Sequence, residues 1–211
     1  MREKDIKVVT PNTLGWLEYK LNSQEMDYVW RCIKNKKEDL KHTLVGHVSE
    51  SNTLVDRSDW FFINTLKPLI GKYENEWRNI GSSIPTNRAH PYHMSRWWVN
   101  YQKQNEFNPH HNHTGVYSFV IWMKIPYNWK RQNQKDIARK SNEPHIGSFQ
   151  FTYLNILGDM RPHNYYISSQ DEGTMLFFPS RLYHQVYPFY DCNEDRISVS
   201  GNIGLNTTKV I

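Results

Sequence analysis

The sequence predicts an α+β protein, in which a helical N-terminal part over residues 1–90 buttresses an antiparallel sandwich or jelly roll from residue 94 onward. Three observations carry that prediction. Apolar residues recur at three- to four-residue spacing in the first part, which is the helical period. Beyond residue 94 the pattern changes to short β-branched and aromatic runs split by Gly, Pro and Asn. No longer repeat is visible, and 211 residues are enough for one core but too few for two comfortable ones. The chain therefore reads as a single domain, 1–211.

Asn22 or Ser23 can cap a first helix whose Met26, Val29, Trp30 and Ile33 share one face, ending in the charged run NKKEDLK. A second begins after Ser58 and carries Trp60, Phe61, Ile63, Leu66, Ile70, Tyr73 and Trp77. Pro68 should kink or split it. Gly81, Pro85 and Pro91 mark irregular chain. Six strand candidates follow: SRWWVNYQ, VYSFVIWMKI, SFQFTYLNI, TMLFFP, LYHQVYP and RISVSGNI. Residues 127–145 and GDMRPHNYY at 158–166 read as loops, and Asp171-Glu172-Gly173 as a hairpin turn. Alternation sends Trp97 and Trp98 to opposite sides of their strand. It also groups Ser118, Val120 and Trp122 on a face that could line a pocket.

Hydrophobic residues make up 38% of the chain, which places it among globular proteins and not among disordered tails. The segment MREKDIKVVTPNTLGW lacks the apolar stretch of a signal peptide. The longest uncharged apolar run, GVYSFVIWM, is far short of the ~20 residues that span a bilayer. Only two cysteines occur, Cys32 and Cys192, so a disulfide framework is not expected and a reducing, cytoplasmic setting is. The net charge of +5 is local: Lys124, Lys130, Arg131, Lys135, Arg139 and Lys140 face a single acid, Asp136, and the rest of the chain is balanced. That stretch is a solvated loop or a basic lip that draws in an anionic substrate. The aromatic N-terminal helices offer a face on which a homodimer could form.

The chemistry concentrates in FNPHHNHTG, residues 107–115. In extended chain His111 and His113 project to one side and His110 to the other. Two imidazoles under-coordinate a divalent metal, so a third ligand must come from elsewhere: His145, His163 or His184. Of these, His184 lies in a predicted strand, the stiffer support. Twelve residues on, RISVSGN places Arg196, Ser198, Ser200 and Asn202 on one strand face. An arginine and a serine so spaced form a clamp suited to a carboxylate, and an arginine on an inward face needs an anion.

Four motifs in order, WVN (98–100), FNPHHNH (107–113), FPSRLYHQVYP (178–188) and RISVSGN (196–202), make the resemblance specific. The chain resembles the Fe(II)/2-oxoglutarate-dependent oxygenase superfamily, and within it a branch encoded by marine bacterial viruses of the cyanophage type. The resemblance covers about residues 94–206. It implies a double-stranded β-helix core of the jelly-roll or cupin-like kind, Fe(II), and 2-oxoglutarate as cosubstrate. It implies His111 and His184 as metal ligands, Arg196 helped by Ser198 on the far carboxylate of 2-oxoglutarate, and Asn100 as a contact to cosubstrate or ligand. Trp122, Ser118 and Asn202 are candidates for the substrate pocket. It further implies hydroxylation of a substrate coupled to conversion of 2-oxoglutarate into succinate and CO2, in the host cytoplasm if the chain is viral.

One position departs from the superfamily pattern. His113 stands where relatives place Asp or Glu, and no acid occurs from Phe107 through Lys135. His113 either completes a three-histidine centre or stands behind it, leaving an open coordination position. Three neutral ligands leave the metal one unit more positive than the usual set, and they admit Zn²⁺ as well as Fe(II). Two rival readings follow: a three-histidine metal enzyme that uses no 2-oxoglutarate, and a non-enzymatic viral structural or interaction protein on the same fold.

Overall fold

In chain order the elements are β1 (Leu17–Lys20), α1 (Ser23–Lys34), β2 (Glu50–Thr53), α2 (Lys67–Glu76), β3 (Tyr92–Gln102), β4 (Asn108–His111) and β5 (Tyr117–Lys124). After these come α3 (Trp129–Gln132), α4 (Asp136–Arg139), β6 (Phe149–Leu154), β7 (Met160–Tyr165), β8 (Thr174–Pro179), β9 (Tyr183–Val186) and β10 (Arg196–Leu205). The computed structural model describes residues 7, 9 and 13–210, so the signal-peptide reading of residues 1–16 falls largely outside the described residues. Among the described residues no helix is long and apolar enough to cross a membrane.

α1 starts where the sequence signals it. The Asn22 side chain accepts from the Glu25 amide at 3.0 Å, and the Glu25 carboxylate accepts from the Asn22 amide at 2.9 Å, a reciprocal cap. Glu25 is buried, and it also accepts from the hydroxyls of Tyr19 and Thr65, each at 2.8 Å. One carboxylate thus ties α1 to β1 and to the second helical segment. Pro68 does not break that segment: residues 62–66 form a wide π turn that runs directly into α2 through helical Leu66 and Lys67.

The strands form two antiparallel sheets, ordered β1-β8-β5-β10-β3-β2 and β4-β9-β6-β7. Side-chain alternation divides the large sheet's residues between two cores. Trp97, Phe119, Ile121, Phe177 and Val199 pack on Val29, Phe61, Leu66 and Tyr73 of the helical layer. Val120, Trp122, Leu176 and Phe178 meet Phe149 and Phe151 of the small sheet inside the jelly roll. The same inner face carries Asn100 and Gln102 on β3 and Arg196, Ser198 and Asn202 on β10, paired in register: Gln102 with Arg196, Asn100 with Ser198. This is the double-stranded β-helix with supporting helices that the resemblance implied, and the interior wall is polar along two neighbouring strands.

Several elements differ from the sequence reading. β1 and β2 join the large sheet although LEYK and ESNT show no apolar alternation; they are short edge strands that follow their neighbours' backbones. Residues 160–165 are β7, an edge strand paired with β6, where a loop was expected; Arg161, Pro162 and His163 mask the period. The 127–145 stretch carries α3 and α4, and buried Gln132 is bonded both ways to the Tyr190 backbone. Residues 171–173 are no hairpin turn, since the strands before and after them, β7 and β8, lie in different sheets. Both cysteines are free thiols.

Gly201, in the middle of β10, lets Phe119 and the β3 backbone pack close against it. A β-carbon there would lie 2.5 Å from the Phe119 ring and 2.9 Å from the Arg96 carbonyl oxygen. Phe119 is itself buried against Phe61. Gly201→Ala is expected to cost about 1–3 kcal/mol by overpacking, read as a lower midpoint in urea with an unchanged slope.

Candidate metal centre

β4 and β9 pair so that His111 lies opposite His184 across the ladder. His113 follows just beyond the end of β4, held by a 2.8 Å hydrogen bond from its amide to the Ser180 carbonyl. The three rings converge: centroid separations are 4.3 Å for His111–His184 and 4.9 Å for each of the other pairs. One ring nitrogen from each lies within 4.8 Å of the others. His110 points away, exposed and stacked on Tyr183 at 4.9 Å. His145 stacks on Tyr187 beside Glu143, and His163 packs against Trp16, so neither joins the cluster.

The hydrogen bonding selects the tautomers. His111 Nδ1 donates to the Pro109 carbonyl at 2.6 Å, and His184 Nδ1 to the Leu182 carbonyl at 3.0 Å. Each Nε2 is thereby left with its lone pair directed inward. His113 Nε2 and His184 Nε2 stand 3.2 Å apart. Burial keeps the rings neutral: it lowers the His111 pKa, takes His113 down to about 4 and holds His184 well below the ordinary range, with the neighbouring imidazoles adding to the depression. Three neutral imidazoles whose nitrogens converge on one point are a donor set that fits a borderline divalent metal. Phe149 and Phe178 wall His184 at 5.6 and 5.1 Å.

Arg196, at the far end of the same interior, is buried with 2% of its surface exposed. Its guanidinium donates to the Tyr127 hydroxyl, to Gln102 Oε1 and, at 3.4 Å, to the carbonyls of Gly147 and Tyr187. Every one of these partners is neutral. The Tyr127 hydroxyl in turn donates to the Gly147 carbonyl at 2.7 Å, and burial raises its pKa against the pull of Arg196. A buried cation without a counter-charge among the described residues is the counterpart of an anionic ligand, so the donor set fits a carboxylate. Ser198 is two residues along the same face, opposite Asn100 on β3 and Trp122 on β5.

A cavity of about 220 Å³ opens beside His111 and His113. Its walls include Asn100, Asn202, Trp98 and Arg96, and residues 43–46 and Val48 roof it. The ring of Trp98 meets that of His113 at 5.9 Å. Trp122 and Ser118 stay outside this wall. Trp122 is packed between the sheets against Phe149 and Tyr165, and Ser118 is buried, donating to Asn202 Oδ1 at 2.8 Å. Nor does the basic stretch border the cavity: Lys124, Lys135 and Arg139 are ion-paired with Glu194, Asp191 and Asp136. Instead the segment closes the Arg196 end through Tyr127.

The sequence reading passed over Gln102, Tyr127, Arg96 and the 43–48 roof. Gln102 was within reach, because it follows Asn100 by two on one strand face. Tyr127 was not, because it sits in a stretch without a readable period.

A jelly roll with converging histidines at one place and an anion-seeking arginine at another is the arrangement of a metal-dependent oxygenase that takes an acidic cosubstrate. The family model described as "Putative 2OG-Fe(II) oxygenase" matches residues 96–202, and the chain belongs to that family. It is a 2-oxoglutarate-dependent oxygenase, with Fe(II) and 2-oxoglutarate as its cofactors. Among solved structures the fold is similar to a Pseudomonas putida prolyl-4-hydroxylase, with 12% identity over 92% of this chain and 94% of that one and a TM-score of 0.53. It is similar also to the viral collagen prolyl hydroxylase of Paramecium Bursaria Chlorella virus-1, with 12% identity over 89% and 94% and a TM-score of 0.50. A third is an oxidoreductase of the 2OG-Fe(II) oxygenase family from Burkholderia pseudomallei, with 13% identity over 87% and 79% and a TM-score of 0.52. At these identities the likeness is one of fold. No curated protein matches the chain in sequence.

Proposed function

We propose that this chain hydroxylates a small substrate at a three-histidine iron centre formed by His111, His113 and His184. Arg196, with Ser198 beside it, holds the far carboxylate of 2-oxoglutarate, and Asn100 lies between clamp and metal. The observation that carries the reading is the convergence of three inward-facing imidazole nitrogens within 4.8 Å of one another in the jelly roll that also buries Arg196.

The chain's own groups each have a task. The Pro109 and Leu182 carbonyls keep His111 and His184 in the tautomer that leaves Nε2 free to bind metal. Arg196 neutralises the incoming carboxylate, and the Tyr127 hydroxyl and Gln102 fix the plane of its fork. Phe149, Phe151 and Phe178 exclude water around His184. Iron and 2-oxoglutarate, when bound, supply the oxidation: one atom of dioxygen enters the substrate C–H bond and the other enters succinate, with release of CO2. No side chain need act as a base in this scheme.

The order of the four motifs supports a viral source of the cyanophage type, which would place the enzyme in the host cytoplasm. The participation of β1 and β2 in the large sheet supports a single working domain over 1–211. Exposed Val55 and Ile63 support the N-terminal layer as the face of a homodimer. Zn²⁺ is the second occupant that three neutral imidazoles favour.

The test is metal analysis of the purified protein, then anaerobic titration with Fe(II) and 2-oxoglutarate, watching for the weak visible charge-transfer band. Stoichiometric metal and a saturable band are expected. No metal uptake sinks both enzyme readings, and metal without 2-oxoglutarate binding favours the rival that uses no cosubstrate. His113→Asp should retain stoichiometric metal, because it restores a carboxylate to the same position, whereas His113→Ala should weaken Fe(II) binding at least about tenfold. Equal metal affinity in His113→Ala and the wild type would remove His113 from the ligand set.

A further inference from the structure

The inner face of β3 runs from Gln102 through Asn100 and Trp98 to Arg96, and each residue faces a partner on β10: Arg196, Ser198, Ser200 and Asn202. The two arginines mark opposite ends of this strand pair. Six residues separate Gln102 from Arg96, about 20 Å at roughly 3.3 Å per residue. Arg196 lies at the closed end, behind Tyr127. Arg96 lies at the open end, on the wall of the cavity that reaches His111 and His113. Trp98, against the His113 ring, stands between them. One arginine is therefore available for the cosubstrate and a second for whatever enters from the mouth.

Arg96 has no ion pair among the described residues; its one polar contact is to Thr43 Oγ1 in the roof, at a long 3.4 Å. Two further side chains in the same wall present donors. Asn100 is 6% exposed, and its Oδ1 is taken by the Ser51 hydroxyl at 2.7 Å. Asn202 is 9% exposed, and its Oδ1 is taken by Ser118 at 2.8 Å. Both amides thus have NH2 ends without a partner among the described residues. Among the described residues no acid lines the cavity, and its apolar part is Trp98, Leu44, Val45 and Val48. Its volume, about 220 Å³, is below the ~300–1,000 Å³ of pockets that hold drug-sized ligands.

We infer that the primary substrate is a small molecule of amino-acid size bearing one carboxylate or phosphate. Arg96 binds that anionic group at the mouth, Asn100 and Asn202 donate to its oxygens or polar body, and its apolar part lies along Trp98 toward the histidines. The inference rests on the oxygenase reading for the position of the reacting carbon, and it transfers the anion preference from the basic 124–140 stretch to a single residue. Arg96 is a specificity residue here, and the cosubstrate site does not depend on it.

Calorimetry on the anaerobic protein loaded with Fe(II) and 2-oxoglutarate tests it. The probes are N-acetyl-L-amino acids beside their amides, and glycerol 3-phosphate beside glycerol. Wild type is expected to bind at least one acid at least about tenfold more tightly than its neutral counterpart, and Arg96→Gln to lose that preference. The carboxylate and phosphate arms tell the two sources of the anion apart. Equal affinity for acid and neutral partner, unchanged binding in Arg96→Gln, or no binding of any acid overturns the assignment. The Fe(II) and 2-oxoglutarate titration on the same samples separates the two failures. If it succeeds while the probes fail, Arg96 is wrongly assigned; if it fails, the oxygenase reading falls first.

Discussion

Arg196→Met is expected to weaken 2-oxoglutarate binding by about a hundredfold or more while leaving the protein folded. The guanidinium is almost fully buried, yet its partners are a phenol, an amide and two backbone carbonyls. The rings of Tyr127 and Phe189, 5.8 and 5.6 Å from it, soften the desolvation without supplying a charge. Taking a lone cation out of water costs several kcal/mol, which a cosubstrate carboxylate can offset. Methionine fills similar space and brings no such cost, so the unliganded variant should be as stable as the wild type or more so. Tyr127 still donates to Gly147 and the Gln102 NH2 group to the Glu106 carbonyl, while Gln102 Oε1 loses its donor, a cost of about 1–3 kcal/mol that offsets part of the relief. Arg196→Lys keeps the charge but loses the planar fork, and should recover only part of the affinity. Calorimetric titration of the metal-loaded protein decides the matter. Wild-type affinity in Arg196→Met, with the fold intact, would mean that the acid is held elsewhere.

What the sequence made legible follows from how each element is stabilised. β3, β5, β8 and β10 are buried on both faces or nearly so, and their aromatic and β-branched runs announce them. α1 carries its own start signal in Asn22 and Glu25. β1, β2 and β7 are edges: their backbones pair, but their side chains need not be apolar, so LEYK, ESNT and MRPHNY carry no period to read. The site divides in the same way. His111, His184, Arg196 and Asn100 lie on strands, where alternation and register reveal which face they share. The roof over 43–48 is held by one isolated bridge, His47 to Phe107, and by the stacking of those two rings at 4.7 Å. Both are long-range contacts that leave no mark on local sequence. Tyr127 reaches Arg196 across 69 positions of chain for the same reason. The basic 124–140 stretch does not border the cavity, and three of its cations have acidic partners distant in sequence or at its own helix face. Net charge locates an excess without revealing what neutralises it.

His184→Leu is expected to abolish stoichiometric metal binding, and with it any response to 2-oxoglutarate that depends on the metal. Among the three histidines it is the most buried, and it has the most rigid support, a strand paired on both sides with β4 and β6. A four-ligand structural zinc site contributes about 10–16 kcal/mol of binding, so one imidazole among three carries several kcal/mol, roughly a hundredfold or more in affinity. The choice of leucine matters. Alanine would leave a void among Phe149, Phe151 and Phe178 costing about 2–4 kcal/mol, and lost metal could then reflect a damaged barrel. Leucine keeps that box filled, and an unchanged urea midpoint in the absence of metal shows it. His110→Ala is the matched control: its ring stacks on Tyr183 outside the cluster, so metal content should not change. If His184→Leu still takes up one metal per chain with wild-type affinity, the centre lies outside these three histidines. If His110→Ala loses metal as well, the division of FNPHHNHTG into two inward rings and one outward ring is wrong, because a residue facing away from the cluster would then be holding it together.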